Sequence, residues 1–346
     1  MKVGFYFPPT HQRLGGLDQA ILGLQQHLAC SVELEPKDPS ACDIIHFHGL
    51  WQPQFRTLAL RCESESIPYV VSPHGMLEPW AWRHKWWKKF PYYFLFERRF
   101  LAGASGILAT SELEKSNLQR FGAFPKIDVI PLSTTTEHGP DYTSARRALG
   151  WTDDEFVLLF LSRLHPKKGL HLLLLALRQL SLTRPALRVA VVGDGSKNYK
   201  QRLVRFIRLN QNRLPTIEFF GPIWGPQKWA FLQGADLFCL PSFSENFGLV
   251  VLEACQVGTP VLTTVETPWQ KLLQEWGFPV VRPSAEAILG GLTYFLERGK
   301  LLSVERNALA EQIRRSFASR SVSAQYLNYY QAITRACCSA RLGNHY

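Results

Sequence analysis

Short apolar runs alternate along the chain with stretches in which apolar positions recur every third or fourth residue. Lys2 to Phe7, Ile44 to Phe47, Tyr69 to Val71, Ile107 to Ala109 and Val129 to Ile130 read as strands, and Leu17 to Ala29 as an amphipathic helix. Strands interleaved with helices in this way predict parallel βαβ units. The rhythm restarts after a polar, turn-rich stretch, Ser133 to Asp154. Further strands are expected at Val157 to Leu161, Val189 to Val192, Ile217 to Phe219, Leu237 to Leu240 and Val261 to Thr263. A domain boundary therefore falls in residues 135–150. Val304 to Cys338 reads as two helices, and Tyr326, Tyr329 and Tyr330 give the last one an aromatic face suited to packing back on the first domain. The fold class is α/β, with two doubly wound sheets, and ligands are expected at the carboxyl ends of the strands.

Composition agrees with two packed cores, since 346 residues at 46% apolar content exceed what one core usually holds. The seven cysteines, Cys30, Cys42, Cys62, Cys239, Cys255, Cys337 and Cys338, form no Cys-x-x-Cys pair. That pattern points to a reducing compartment and against structural zinc. Met1 to Phe7 lacks the features of a secretory leader, and the most apolar run, Leu170 to Leu180, is broken by His171 and Arg178. A cytoplasmic chain without a spanning helix is expected. The formal net charge of +11 favours a polyanionic partner, which nucleic acid, anionic headgroups or substrate phosphates would all satisfy. The sequence holds no zinc-finger spacing, RNP-type strand or heptad-linked basic region, which argues against nucleic acid.

Candidate chemistry concentrates after two strands of the second half. Pro241-Ser242-Phe243-Ser244-Glu245-Asn246-Phe247-Gly248-Leu249 continues through Glu253-Ala254 to Gly258-Thr259-Pro260-Val261. The segment follows a buried strand and opens a helix, so the amides of Asn246, Phe247 and Gly248 would lie at its positive end, open to phosphate or sugar oxygens. Glu245 stands at that mouth. Glu253 would lie about 7 Å beyond Gly248 at roughly 1.5 Å per residue, within reach of another part of one extended ligand. Earlier, Ser162-Arg163-Leu164-His165-Pro166-Lys167-Lys168-Gly169-Leu170 sets cations beside a helix start, which suits a diphosphate.

With these flanks the first segment resembles the signature of family 4 retaining glycosyltransferases, Pro-Ser-x-x-Glu-x-Phe-Gly-x-x-x-x-Glu-Ala. The second resembles that family's Gly-Arg-Leu-x-x-x-Lys-Gly element, with Ser162 in place of its first glycine. The resemblance covers nearly the whole chain and implies the GT-B fold, two Rossmann-like domains facing a cleft. Residues 1–140 would form the acceptor side, 141–318 would hold a nucleotide-diphosphate sugar, and a helix over 319–346 would cross back to the first domain. By resemblance, Glu245 contacts hydroxyls of the donor sugar and Glu253 the ribose, while Arg163 and Lys168 neutralise the departing diphosphate. Leu14-Gly15-Gly16-Leu17 resembles the family's donor-side glycine loop, although a plain tight turn would look the same. His74, in Val71-Ser72-Pro73-His74-Gly75-Met76, stands where the family often presents a histidine to the transferred sugar.

The reaction implied is sugar transfer with retention to a sugar or lipid-linked acceptor, in surface polysaccharide or glycolipid assembly. No Asp-x-Asp follows a strand, so no divalent metal is expected. A sugar-nucleotide epimerase of the same architecture, or a non-catalytic sugar-nucleotide-binding protein, would share the pocket. His46 and His48 end a strand as either acceptor contacts or structural histidines. Val192-Gly193-Asp194-Gly195 lacks the third glycine and the ribose-binding acid of a dinucleotide site. From Trp80 to Phe100, aromatic residues interleave with Arg83, Lys85, Lys88, Lys89, Arg98 and Arg99. That stretch could rest on an anionic membrane, line an acceptor groove, or be core aromatics with a solvated basic face. Two departures from the family pattern are Ile130-Pro131-Leu132-Ser133 and Val265-Glu266-Thr267-Pro268-Trp269, the latter in place of a glycine-rich turn.

Overall fold

The computed structural model describes residues 1–8, 16–29, 32–34, 38–83, 86–122, 124, 126–133, 139–180 and 186–343. The chain divides into two compact units, Met1–Thr135 with Phe317–Tyr346, and Thr136–Ser316.

The first unit runs β1 (Lys2–Tyr6), α1 (Gly16–Leu28), β2 (Glu33–Leu34), β3 (Ile44–His48), α2 (Pro53–Glu65) and β4 (Tyr69–Ser72). It continues through α3 (Pro79–Arg83) and α4 (Trp86–Tyr92), which passes by a π-helical stretch, Tyr93–Glu97, into α5 (Arg98–Ala102). β5 (Gly106–Ala109), α6 (Glu112–Phe121) and β6 (Ile127–Val129) complete it. Its sheet is parallel in the order β2-β1-β3-β4-β5-β6, with Phe5 opposite His46 and Phe47 opposite Val71. Every residue of β3, β4 and β5 is buried, because helices cover both faces; such strands read as largely apolar runs, which His46 and His48 interrupt in β3. Alternate residues feed two cores, one around Phe47, Phe55, Tyr69 and Phe100, the other around Val3, Ile21, Leu24, Ile44 and Val70.

The second unit contains α7 (Tyr142–Leu149), β7 (Phe156–Leu161), α8 (Leu170–Gln179), β8 (Leu187–Val192), α9 (Lys197–Leu209), β9 (Thr216–Gly221) and α10 (Pro226–Gly234). β10 (Leu237–Leu240), α11 (Leu249–Gln256), β11 (Val261–Thr264), α12 (Gln270–Glu275), β12 (Val280–Val281), α13 (Ala285–Arg298) and α14 (Ser303–Ser316) follow. Its parallel sheet has the order β12-β11-β10-β7-β8-β9. α7 is locked to this sheet by a buried ion pair, Arg146 to Asp236 at 2.9 Å with both side chains 1% exposed. Asp236 also accepts from the Val157 amide at 2.8 Å and the Tyr142 hydroxyl at 2.6 Å, so its buried charge is well supplied with donors.

The last helix, α15 (Ser319–Gly343), packs on α1 and sends Val322, Tyr326 and Tyr330 into the core of the first unit. The edge strands β2 and β12, two residues each, are too short to leave a periodic signal in the sequence. In each sheet the winding reverses once, at β1/β3 in the first and at β7/β10 in the second. Such reversals open a crevice at the carboxyl ends of the two strands, and this selects the loops in which ligands bind. Among the described residues no helix is long and apolar enough to cross a membrane.

Candidate functional site

The β7/β10 reversal brings the two chemistry-bearing segments together. After β7 the chain passes through Ser162 and Arg163 into a single 3₁₀ turn, Pro166–Lys168, whose start is capped by His165 Nδ1 accepting from the Lys167 amide at 3.1 Å. Gly169 ends the turn with φ 73°, and a Cβ there would meet the Pro241 carbonyl oxygen at 1.9 Å. The Val192-Gly193-Asp194-Gly195 turn has the same structural character. A Cβ on Gly193 would lie 1.9 Å from the Ser162 carbonyl oxygen, and one on Gly195 1.9 Å from that of Leu164. These glycines let three strand-end loops close on one another, so the Gly-x-Gly element supports the cationic loop.

Lys168 Nζ lies 2.5 Å from Glu245 Oε1, with side-chain exposures of 15% and 7%. The Ser242 hydroxyl donates to the same oxygen at 2.7 Å. Burial alone would push the Glu245 carboxyl up, but the Lys168 charge and the hydrogen bonds from Lys168 and Ser242 outweigh it and hold the group below the usual carboxylate range. Glu245 is therefore an anion fixed in a nearly dry setting, able to accept hydrogen bonds from a polyol. Arg163 is exposed and has no ion-pair partner among the described residues. A cation without an internal partner at the mouth of this crevice is available to an incoming anion.

α11 begins at Leu249, with Gly248 as its N-cap at φ 72°. Asn246, Phe247 and Gly248 thus precede the helix rather than forming its first turn, and the positive end of α11 opens beside them. Trp269, from the loop that replaces the family's glycine-rich turn, braces this approach. Its indole Nε1 donates to the Phe247 carbonyl, and its ring meets Phe247 edge-on at 4.9 Å. The same loop accepts the Glu245 amide at the Glu266 carbonyl, 3.0 Å away. Further along α11, Glu253 pairs with Lys228 of α10 at 2.8 Å. Neither Trp269 nor Lys228 carried a sequence signal, because both act through contacts made only on folding.

In the first unit Gly15 lies outside the described residues, and Gly16 opens α1. His74 follows β4 with φ 51°, a left-handed conformation that costs energy for a residue with a Cβ. Glu114 of α6 holds the loop there, accepting from the Gly75 amide at 2.6 Å and the Thr110 amide at 2.7 Å. Burial pushes its carboxyl up to about 7 against those hydrogen bonds. His74 Nε2 sits 3.0 Å from His48 Nδ1, and the two rings stack at 5.3 Å. His46 is bound on both nitrogens, 2.7 Å from the Tyr330 hydroxyl and 2.8 Å from the Ser72 hydroxyl, as a satisfied structural histidine would be. Among the described residues, His48 Nε2 and His74 Nδ1 are buried without a hydrogen-bond partner. Burial drives all three rings below their usual range, His74 to about 3, so they are neutral at physiological pH.

The aromatic-basic stretch divides in two. Trp82 and Tyr93 pack against Phe121, and Tyr93 and Phe100 belong to the core. Glu97, also buried, accepts from the Trp51 amide at 2.9 Å, and burial lifts its carboxyl to about 7 against that bond. Trp86, Trp87, Phe90 and Phe94 remain exposed.

Comparison with known proteins agrees with this picture. The family model described as glycosyl transferases group 1 matches residues 141–315, and that of glycosyltransferase family 4 matches residues 5–138. The D-inositol 3-phosphate glycosyltransferase of Pseudarthrobacter chlorophenolicus is 35% identical over 177 residues, 49% of this chain and 41% of that protein. The chain thus spans less than half the length of that curated relative. Sucrose-phosphate synthase from Thermosynechococcus elongatus superimposes with a TM-score of 0.80 at 16% identity, covering 97% of this chain and 99% of that one. HepE from Anabaena in complex with UDP-glucose gives 0.74 at 18%, covering 96% and 100%. At such identities the likeness is one of fold, two Rossmann-like sheets of GT-B type.

Proposed function

The chain belongs to the glycosyl transferases group 1 family, and on that premise we propose that it is a retaining glycosyltransferase moving a sugar from a nucleotide-diphosphate donor to a hydroxyl of a sugar or lipid-linked acceptor. The observation that carries the reading is the Lys168–Glu245 pair at the β7/β10 reversal, with Arg163, which has no ion-pair partner among the described residues, in the same loop. A diphosphate sugar needs positive charge for its phosphates and fixed acceptors for its hydroxyls, and this crevice supplies both.

In the proposed reaction the bond from the anomeric carbon to the phosphate oxygen breaks, and both electrons remain on that oxygen. The acceptor oxygen bonds to the same face of the sugar, and its proton passes to the leaving diphosphate. Negative charge grows on the phosphates as the transition state forms. Arg163, Lys168 and the amides of Asn246, Phe247 and Gly248, set in advance, stabilise it there. Two cations in place support a metal-independent reaction. Glu245 orients the sugar and Glu253 binds the ribose. His74, kept neutral by burial, hydrogen-bonds the transferred sugar without adding charge. The setting proposed is cytoplasmic assembly of a surface polysaccharide or glycolipid.

The experiment is a donor screen by mass spectrometry with crude lipid extract as acceptor. UDP-glucose leads the panel because it is the ligand of the HepE structure. Acceptor-dependent loss of donor, with retained configuration in the product and unchanged rate in chelator, is expected. Donor interconverted without acceptor would make the protein an epimerase. Calorimetry with no uptake of any activated nucleotide by the folded chain would end the proposal.

A further inference from the structure

α4 buries none of its residues, whereas the π-helical stretch after it and α5 have one face in the core and one in solvent. Tyr93, Glu97 and Phe100 are buried, whereas Trp86, Trp87, Phe90, Phe94 and Leu95 are exposed to 55, 58, 49, 52 and 68%. Trp86, Phe90 and Phe94 recur at helical spacing, and the last two rings lie 4.7 Å apart, so the exposed side chains form one stripe. Isolated apolar side chains on a surface are ordinary, but a contiguous aromatic stripe marks a contact surface. Along the segment itself the charge has one sign, although Arg99 meets Glu63 of α2 at 3.3 Å. Arg83, Lys88, Arg98 and Arg99 are exposed, and between Pro79 and Arg99 the only acid is the buried Glu97.

We propose that this stripe docks the first unit on an anionic lipid bilayer. Aromatic side chains settle at the boundary between headgroups and acyl chains, and the flanking bases lie over anionic headgroups. The charge pattern selects this occupant over a second copy of the chain, which would set the same cations against each other. Glu97 fixes the docked segment to the loop after β3 through the Trp51 amide, so the stripe is presented by a braced element. This proposal is independent of the donor reading.

The test is co-sedimentation of the full chain, without nucleotide, on phosphatidylcholine vesicles and on vesicles containing about one-third phosphatidylglycerol, at low and high salt. Binding to the anionic vesicles alone, weakened by salt, is expected. Lys88→Ala should lower the partition coefficient about fivefold, and the pair Trp86→Ala and Trp87→Ala roughly tenfold or more. Both tryptophans are more than half exposed, so the thermal midpoint should stay at the wild-type value, which separates lost docking from misfolding. No partition onto anionic vesicles at low salt, or equal partition by the paired variant, would overturn the assignment. So would concentration-dependent self-association that the paired variant abolishes. None of these results bears on nucleotide-sugar uptake, which calorimetry reads separately.

Discussion

Removing the ammonium beside Glu245 tests the electrostatic arrangement at the β7/β10 crevice. Lys168→Met keeps most of the stem and deletes the charge, leaving a Glu245 side chain 7% exposed with the Ser242 hydroxyl at 2.7 Å. At 2.5 Å the gross attraction in the wild type is about 7 kcal/mol for an effective dielectric of about 20, much of it offset by desolvation of both ions. Breaking a buried pair from one side typically costs about 3–5 kcal/mol. Because Lys168 keeps 15% exposure and Glu245 can take up a proton, about 2–3 kcal/mol is expected, a fall in melting temperature of about 5–10 °C for a unit of this size. The pH dependence is more diagnostic. Wild-type Glu245, held below the usual range, contributes stability that is present above the unfolded carboxylate value and lost as pH falls through the folded one. Without the ammonium, burial raises the folded value, so the variant loses stability as pH rises and the gap between the two proteins widens from about pH 4 to pH 7. Melting curves followed by circular dichroism across that range measure the gap. Parallel pH profiles, or a neutral-pH difference below about 1 kcal/mol, would refute the reasoning.

Arg163→Ala should reduce turnover about 10²- to 10³-fold with stability changed by less than about 0.5 kcal/mol, since the side chain is exposed; steady-state kinetics with a melting curve decides, and full activity removes Arg163 from the mechanism. Gly169→Ala forces a Cβ to within 1.9 Å of the Pro241 carbonyl and should cost more than about 4 kcal/mol or yield no soluble protein. Gly150→Ala, at φ 68° with no atom within 4 Å, should cost about 1 kcal/mol; similar costs at the two positions would rule out close approach as the cause. Glu97→Gln mimics the neutral acid, so with a wild-type carboxyl lifted from 4.5 to about 7 the variant should be the more stable protein at pH 8 and lose that advantage below about pH 4.5. Thermal melts at the two pH values test this, and an advantage at neither would show that Glu97 is not penalised by burial.

The sequence by itself determined the alternation of strand and helix, and with it two parallel sheets, because strands covered on both faces must be apolar along their length. Phe156–Leu161 and Leu237–Leu240 carry that mark whatever their neighbours. It also determined the 241–254 segment, where chemistry and local conformation occupy one stretch of chain. What joins positions far apart was decided only by tertiary structure. Lys168 meets Glu245 across 77 residues because the winding reverses between β7 and β10. Glu253 acquires Lys228, and Trp269 braces Phe247, only when three loops are laid side by side. His46 and His48 look alike in sequence, yet a tyrosine from the last helix satisfies one and leaves the other with an unpaired nitrogen. Within 80–100 the split between core and surface aromatics depends on which positions of the π-helical stretch and α5 face the core of the first unit, since α4 buries none of its own. Local sequence reports the propensity of a segment, whereas burial and charge pairing are properties of the partners that folding brings to it.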